Sequence, residues 1–480
     1  MQEPTYEVDP LPKAARTPTQ SGFESRSRLQ LLATEIHQVG QQHFRELGSA
    51  DCEHMLSLLE LSRQCEDQGR RKLRSFSPRK VASGVWHLAR HYVMELTNSH
   101  AVLHGGYESL TGGATLAAAD HVWDNTPDEE DWLISHAQGH HRYTNRVGRD
   151  DDLGYSLFRV SDLQPYRWYH LLQPLFLFLM PFVESIHFPF YIAAARARIE
   201  GRRVYTWETV RRGALKVLQH WRINYVQEPI KARGAALQVL LGNFIARHIA
   251  NVIIVVMLSC EHLNGRVLDL ESTDEPLDRD EFYLQQLLTS ASFTISETFE
   301  AHHSLGVSLH IEHHLFPRMP IGRLPAIRES IKELCARFDV PYDCEPWYRA
   351  LLAVTKTVVT HSVPWAKPCK ARVKRRECWQ QWRDEHRARR SRFNRVLPVE
   401  LHDIHLARSR VTLTARSDEN LLEALERAGV EVPSLCRRGA CGTCETPLLD
   451  GDVEQYGHAE HDRTVRPCSA KARSDLLLDL

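Results

Sequence analysis

The chain carries almost no net charge: 60 Lys and Arg face 61 Asp and Glu, leaving −1 at pH 7. No global field therefore argues for nucleic acid as a partner. The N-terminus, MQEPTYEVDP, has neither the basic start nor the apolar run of a secretory signal. Of eleven cysteines, seven (Cys52, Cys65, Cys260, Cys335, Cys344, Cys369 and Cys378) are scattered with no disulfide-like spacing. These absences point to a reducing, cytoplasmic setting in which cysteine is reserved for metal. No repeat of solenoid type is apparent. Histidine, in contrast, is abundant. There are 27, many in short groups. A length of 480 residues allows two to four domains and at least one large core.

Residues 1–25 are polar, with Pro, Ser and Thr, and are expected to be disordered. Residues 27–75 carry leucines at helical spacing, and Val81 to Leu110 is a helix-like stretch bearing several histidines. Two long apolar stretches follow, Leu171 to Ala195 and Leu237 to Leu258. Each is long enough to cross a hydrocarbon core of ~30 Å as a helix. Glu184, His187, Pro181 and Pro189 interrupt the first, and Arg247 and His248 the second. A charge at the bilayer centre costs roughly 2.5–3.5 kcal/mol on insertion scales, so these groups should face protein or the interface. The mean hydropathy of −0.39 is low for a chain that crosses a membrane repeatedly.

Composition shifts sharply near Pro364. From there to Leu397 twelve Lys and Arg meet three Asp and Glu, a net of +9. This strip reads as a basic linker, residues 364–397. From Pro398 onward ten Lys and Arg meet fifteen Asp and Glu, a net of −5. Alternation near IHLA and VTLTA predicts two strands, and DENLLEALERAG predicts a short helix.

Four cysteines cluster in this acidic tail. Cys436, Cys441 and Cys444 are spaced C-x4-C-x2-C, and Cys468 stands downstream. Plant-type [2Fe–2S] sites use this spacing, with two thiolates for each iron. Gly439 and Gly442 let the loop turn tightly and aim amides at sulfur. A zinc ribbon would instead place C-x2-C pairs on both sides. The tail, 399–480, resembles the ferredoxin domain of phthalate-dioxygenase-type reductases in LLEALERAGVEVPSLCRRGACGTCE and in the ending LLLDL. The resemblance implies a small α+β, β-grasp domain whose four cysteines hold one [2Fe–2S] cluster. The gap from Cys444 to Cys468 is shorter than usual for that family. No flavin- or nicotinamide-binding module precedes the tail. Such a domain passes one electron at a time, so it needs a donor and a recipient.

Three histidine groups sit where a recipient would be: His100 and His104 in HAVLH; His136, His140 and His141 in HAQGHH; His310, His313 and His314 in HIEHH. Residues i, i+3 and i+4 share one helix face, so each group is expected to aim its imidazoles at one point. Neutral imidazole binds iron without compensating its charge. A ferritin-like site would need paired Glu-x-x-His motifs, and Glu300 with His303 is a single candidate without a partner. A nickel or zinc store, or a metal-handling membrane protein with an attached redox module, would explain histidine alone but not the iron–sulfur tail. A pure electron carrier would leave the histidines unexplained.

The order HxxxH, HxxxHH, HxxHH is similar to that of the membrane fatty acid desaturases. NSHAVLHGGYE, SHAQGHHRYTNRVGRDDDLGY and HIEHHLFPRMP resemble the boxes of front-end and linoleoyl-CoA-type members, with His310 where many carry Gln. The likeness implies a mainly α-helical, membrane-associated di-iron domain over residues 26–363, joined to the ferredoxin domain at 398–480. It implies two iron ions held by the eight box histidines, with His262 in LSCEHL as a ninth ligand. The implied reaction is O2-dependent oxidation of an unactivated C–H bond in an acyl-type substrate carried on CoA, acyl carrier protein or lipid. Desaturation is the favoured outcome and hydroxylation the alternative. An NAD(P)H-dependent flavin ferredoxin reductase is the expected donor, and the cytoplasmic face of a membrane (the inner membrane in a bacterium) the expected location. His87, His91, His121, His248, His302 and His303 have no box partner and are expected to be structural or to support the ligands.

Overall fold

A computed structural model describes residues 27–204, 206–271, 277–300, 306–393, 399–434, 437, 439, 442–455 and 464–480. The expected disordered start, His302, His303, Cys436 and Cys441 lie outside the described residues.

Helix α1 (Arg28–Arg45) begins at Ser27, whose Oγ accepts the Gln30 amide. It buries Leu29, Leu32, Ala33 and Ile36, the i, i+3, i+4, i+7 stripe of an amphipathic helix. Helices α2 (Ser49–Leu73) and α3 (Pro78–Leu103) pack side by side. The close approach is made where Gly69 and Gly84 carry no Cβ, since one at Gly69 would stand 2.6 Å from Leu88 Cγ. Helix α4 (Glu129–Leu133) is capped by Asp128 and runs directly into the second histidine group.

The two apolar stretches form α5 (Gln173–Ile199) and, after the amphipathic α6 (Trp207–Trp221), α7 (Ala236–His262). Both long helices are apolar and long enough to cross a membrane. Glu184 and Arg247 are buried within the protein, as the insertion cost requires. His187 and His248 are half-buried and bond the carbonyls of Tyr155 and Phe244. Helix α8 (Arg279–Thr289) opens with a capping box between Asp278 and Glu281. Strand β1 (Ser292–Thr294) pairs in parallel with β2 (Cys344–Pro346). Helices α9 (His310–Leu315), α10 (Leu324–Phe338) and α11 (Trp347–Thr360) complete this body.

The strip expected to be a linker is instead largely helix α12 (Lys370–Phe393), packed against α1 and α8. Its cations are held by carboxylates and carbonyls of the body. Arg372, 1% exposed, donates to Val267 O and Val160 O and lies 3.1 Å from Asp269. Arg375 pairs with Asp343, and Arg376 with Asp162 and Asp269. Trp379 and Trp382 join the same core as α1 and α10. Net charge counted along the sequence misses these partners because each lies more than thirty residues upstream.

The C-terminal residues form a separate core. A five-stranded sheet has the order β4-β3-β9-β5-β7. Its strands are β3 (Leu401–Leu406), β4 (Thr412–Arg416), β5 (Thr446–Asp450), β7 (Thr464–Val465) and β9 (Leu476–Leu478), and a small ribbon pairs β6 (Val453–Glu454) with β8 (Lys471–Ala472). Strands β3 and β4 are antiparallel, while β3 and β9 are parallel. Helix α13 (Leu421–Arg427), capped by Asn420, packs on β4. Both sequence-predicted strands and the predicted helix are present here.

Candidate metal centre

All nine sequence-selected histidines come together. Helix α3 supplies His100 and, at its end, His104. His262 ends α7, and α9 carries His310, His313 and His314. Between α4 and Tyr143 the backbone winds as a π-helix over Ile134–His140, with the His141 amide bonded to His136 O. One extra residue per turn changes which side chains share a face.

That register overturns the expectation that each box aims at one point. His136 and His141, five apart, meet at Nε2–Nε2 3.1 Å, while His140 points elsewhere. His100, His104, His136, His141 and His313 form one group whose ligand atoms all lie within 4.8 Å of one another. His140, His262 and His310 form a second. His314 joins this second group, its Nε2 3.0 Å from that of His140. The third box is therefore also divided, His313 to one group and His310 and His314 to the other.

The proton positions test whether a cation fits. Gln286 donates its amide N–H to His141 O, which turns its Oε1 toward His314 Nδ1 at 2.9 Å. His140 Nδ1 lies 3.0 Å from both oxygens of Asp150. Both Nδ1 atoms must then carry the proton, so in neutral rings both Nε2 atoms present lone pairs. Two lone pairs 3.0 Å apart repel unless a metal cation, or a second proton on His140, lies between them. Two imidazoles bound at about 2.1 Å and at right angles on one ion would stand about 3.0 Å apart. The other Nε2 pairs, 3.0 Å for His100–His313 and 3.1 Å for His104–His100 and His313–His141, have the same spacing.

Burial keeps these rings in the ligand form. It pushes His104, His136, His141, His310, His313 and His314 well below the ordinary imidazole value, helped by neighbouring histidines, and His100 down to about 4. His140 moves the other way. Burial alone would lower it, but the charges of Asp150 and Asp152 outweigh that.

Sequence reading missed these supports. Asp150 holds His140, Asp152 lies 3.4 Å from His136 Nδ1, and Gln286 holds His314. Asp150 and Asp152 stand in the RDDDLGY string, where three carboxylates after a histidine box were the available signal. Gln286 had none, since it comes from α8. The histidines without box partners bond elsewhere: His87 to Lys72, His91 to Ser62 and Asp124, His121 to Ser99. The carboxylate of Glu300 accepts from the Gly306 amide and the Ser308 hydroxyl.

A cavity runs beside the histidines. Leu96, Trp132, Phe188, Ile192, Met257 and Leu258 give it an apolar wall, and His100, His136, His262, His310 and His313 line it from the opposite side. Trp132 stacks on His136 with ring centroids 4.5 Å apart, closing that flank. The lining sets an apolar wall opposite the histidines, and Asp152, Glu184 and Glu261 add carboxylates to it.

In the C-terminal domain Cys444 and Cys468 are buried, their sulfurs 3.1 Å apart. The Gly439 amide lies 3.1 Å from Cys468 Sγ, the amide-to-sulfur contact expected of this loop. Gly439 and Gly442 have φ of +74° and +75°, and a Cβ at Gly439 would stand 2.2 Å from Ser469 Oγ. The donors suit a thiolate-held cluster.

A profile of the fatty acid desaturase family matches residues 90–346, which span all nine histidines. The chain belongs to the fatty acid desaturase family. A 2Fe-2S iron-sulfur cluster binding domain matches residues 404–473, so this desaturase carries its own iron–sulfur domain. Similar proteins follow the same division. The NADPH-dependent stearoyl-CoA 9-desaturase of Mycobacterium tuberculosis is 27% identical over 329 residues, covering 65% of this chain and 74% of that protein. The C-terminal part is 48% identical over 93 residues to the heme-dependent oxidative N-demethylase beta subunit of Ectopseudomonas mendocina, covering 18% of this chain and 30% of that one. It is 38% identical over 96 residues to the phthalate 4,5-dioxygenase oxygenase reductase subunit of Pseudomonas putida, covering 19% and 28%. The desaturase is thus an oxidoreductase with electron-transfer and oxidising parts in one chain.

Proposed function

We propose that His100, His104, His136, His141 and His313 hold one iron and His140, His262, His310 and His314 a second, with Cys436, Cys441, Cys444 and Cys468 holding the [2Fe–2S] cluster of a β-grasp domain. The observation that carries this reading is the 3.0 Å contact between two Nε2 atoms whose Nδ1 protons are committed to Asp150 and Gln286. When bound, the irons supply O2-dependent removal of hydrogen from an unactivated C–H bond of an acyl chain, giving an alkene. The protein's own part is positional. Asp150 and Gln286 fix the tautomers of His140 and His314, and so their aim. The apolar cavity holds the chain against the histidines and keeps water away, which decides the carbon presented. Arg196 and Arg212 brace the second box through Asp131, at 2.6 and 2.8 Å.

The fused cluster delivers electrons singly, and a flavin-containing NAD(P)H-dependent ferredoxin reductase reloads it. Fusion makes that encounter intramolecular and raises the effective concentration. The oxidising part sits in a membrane with its metal centre toward the cytoplasm. Support comes from the exposed apolar residues concentrated on α5, α6, α7 and α11, among them Phe178, Trp207, Leu237 and Leu352. The test expresses the full chain with such a reductase and compares free and carrier-bound acyl chains by mass spectrometry, alongside iron analysis. New double bonds with two irons per chain beyond the cluster are expected. Full iron loading with no change in any acyl chain would overturn the substrate assignment, and recovery in the soluble fraction without detergent would overturn the membrane assignment.

A further inference from the structure

Most arginines near the end of the helical body are occupied. Arg372, Arg375 and Arg376 of α12 are held by Asp162, Asp269 and Asp343, and Arg266 by Glu345 and Asp343. Three cations nearby are different. Arg349, Lys356 and Lys367 are exposed, and none has an ion-pair partner among the described residues. All three line one open pocket, together with Arg266 and its partner Glu345. Arg349 and Lys356 are two turns apart on α11 and so share a face.

The surroundings of these cations are apolar. Trp347, Tyr348, Leu352 and Val359 of α11 are 44–55% exposed, and Trp365, just beyond, is 76% exposed. Helix α11 is fixed to both long apolar helices. Cys260 Sγ, on α7, reaches Trp347 O, Gln173 at the start of α5 donates to Val358 O, and the Gly265 amide just after α7 donates to Thr357 Oγ1. An exposed helix face that alternates tryptophan, tyrosine and aliphatic residues with unpaired cations matches the chemistry of a membrane–water boundary.

We propose that Arg349, Lys356 and Lys367 form a site for the phosphate of an anionic membrane lipid, whose acyl chains lie along the exposed side chains of α11. This rests on the membrane reading above and adds a headgroup preference to it. An acidic protein surface such as the ferredoxin domain would also meet the cations, but would leave Trp347, Leu352 and Trp365 against polar groups. Each cation near an anionic surface contributes roughly fivefold to affinity.

The full chain, loaded with iron and purified in a neutral detergent, is followed by thermal unfolding with added dioleoylphosphatidylglycerol or dioleoylphosphatidylcholine. The expected result is that phosphatidylglycerol raises the midpoint at roughly tenfold lower concentration or less. R349Q/K356Q/K367Q should erase that preference while iron content and membrane sedimentation stay unchanged. An equal response to both lipids, or a preference that survives in the variant, would overturn the site. So would a midpoint raised by coenzyme A and not by phosphatidylglycerol, or a variant that only slows electron delivery. If the wild type fails to sediment with membranes, the membrane reading itself fails. Sedimentation without headgroup preference removes only this site.

Discussion

The two candidate metal-binding regions are built over opposite distances. In the C-terminal domain three of four cysteines fall between residues 436 and 444. A loop with two left-handed glycines can gather them almost by itself. In the helical body the nine histidines run from residue 100 to 314 and arrive on α3, the π-helix, α7 and α9. No local motif assembles that site. Its geometry depends on how four elements pack and on carboxylate and amide partners drawn from further elements. The contrast teaches that the cluster loop should tolerate changes in distant packing, whereas the histidine centre should not. Each region also has its own core, so damage to one metal site should leave the other intact.

The largest expected effects separate the two sites outright. His140→Ala or His313→Ala should abolish product and lower bound iron, with the spectrum of the reduced [2Fe–2S] cluster unchanged. Metal analysis and paramagnetic resonance on one sample check both halves. His87→Ala, at a ring bonded to Lys72, serves as the control and should lose far less iron. The reciprocal change, Cys441→Ser, should abolish reductase-driven turnover while the iron of the helical body stays normal. Turnover at full rate would show that electrons bypass the fused domain.

A smaller effect probes the long-range supports. Asp150→Asn removes the carboxylate that holds His140 Nδ1, and should cost about 10–100-fold in iron affinity or rate. Iron titration and rate measurements on the variant would test this, and unchanged values would mean the box alone suffices. Next comes packing away from both metals. Arg372→Met leaves buried Asp269 without one of its two arginines and should destabilise the body by about 3 kcal/mol. Denaturant unfolding by circular dichroism reads this, and the visible spectrum of the cluster should not move.

The smallest effect is pH-dependent. His386 on α12 bonds Asp278 at 2.8 Å and Ser27 at 2.8 Å. Burial alone would lower its pKa, but the hydrogen bond and charge of Asp278 raise it above the ordinary histidine value. A raised folded value means the bond stabilises fully below the unfolded pKa of about 6.5 and fades as pH rises through the folded one. The wild type should therefore lose a small advantage over His386→Gln on going from mildly acidic to alkaline pH. Parallel melts of both proteins across that range would reveal a constant difference if Asp278 does not matter.

Much of this could be read along the chain. The cysteine spacing, the histidine boxes and two long apolar stretches each follow from local period and residue type. The strands at IHLA and VTLTA did as well. Reading the 364–397 strip as a linker failed because a run of arginines looks the same whether its partners are water or buried carboxylates. Asp269, Asp343 and Asp162 are distant in sequence, and only the packing of α12 brings them to Arg372, Arg375 and Arg376.

By itself the sequence determined which side chains could bind iron, because histidine and cysteine chemistry is intrinsic to the residue. It also determined that two long helices are apolar, because transfer from water depends on composition. Only the tertiary structure decided how the histidines divide. The π turn from Ile134 to His140 shifts the phase of the second box by one residue, and Gln286 and Asp150 choose which nitrogen of His314 and His140 faces the other. A single-residue phase and a proton position leave no trace in spacing, since both are set by contacts that exist only once the helices have packed.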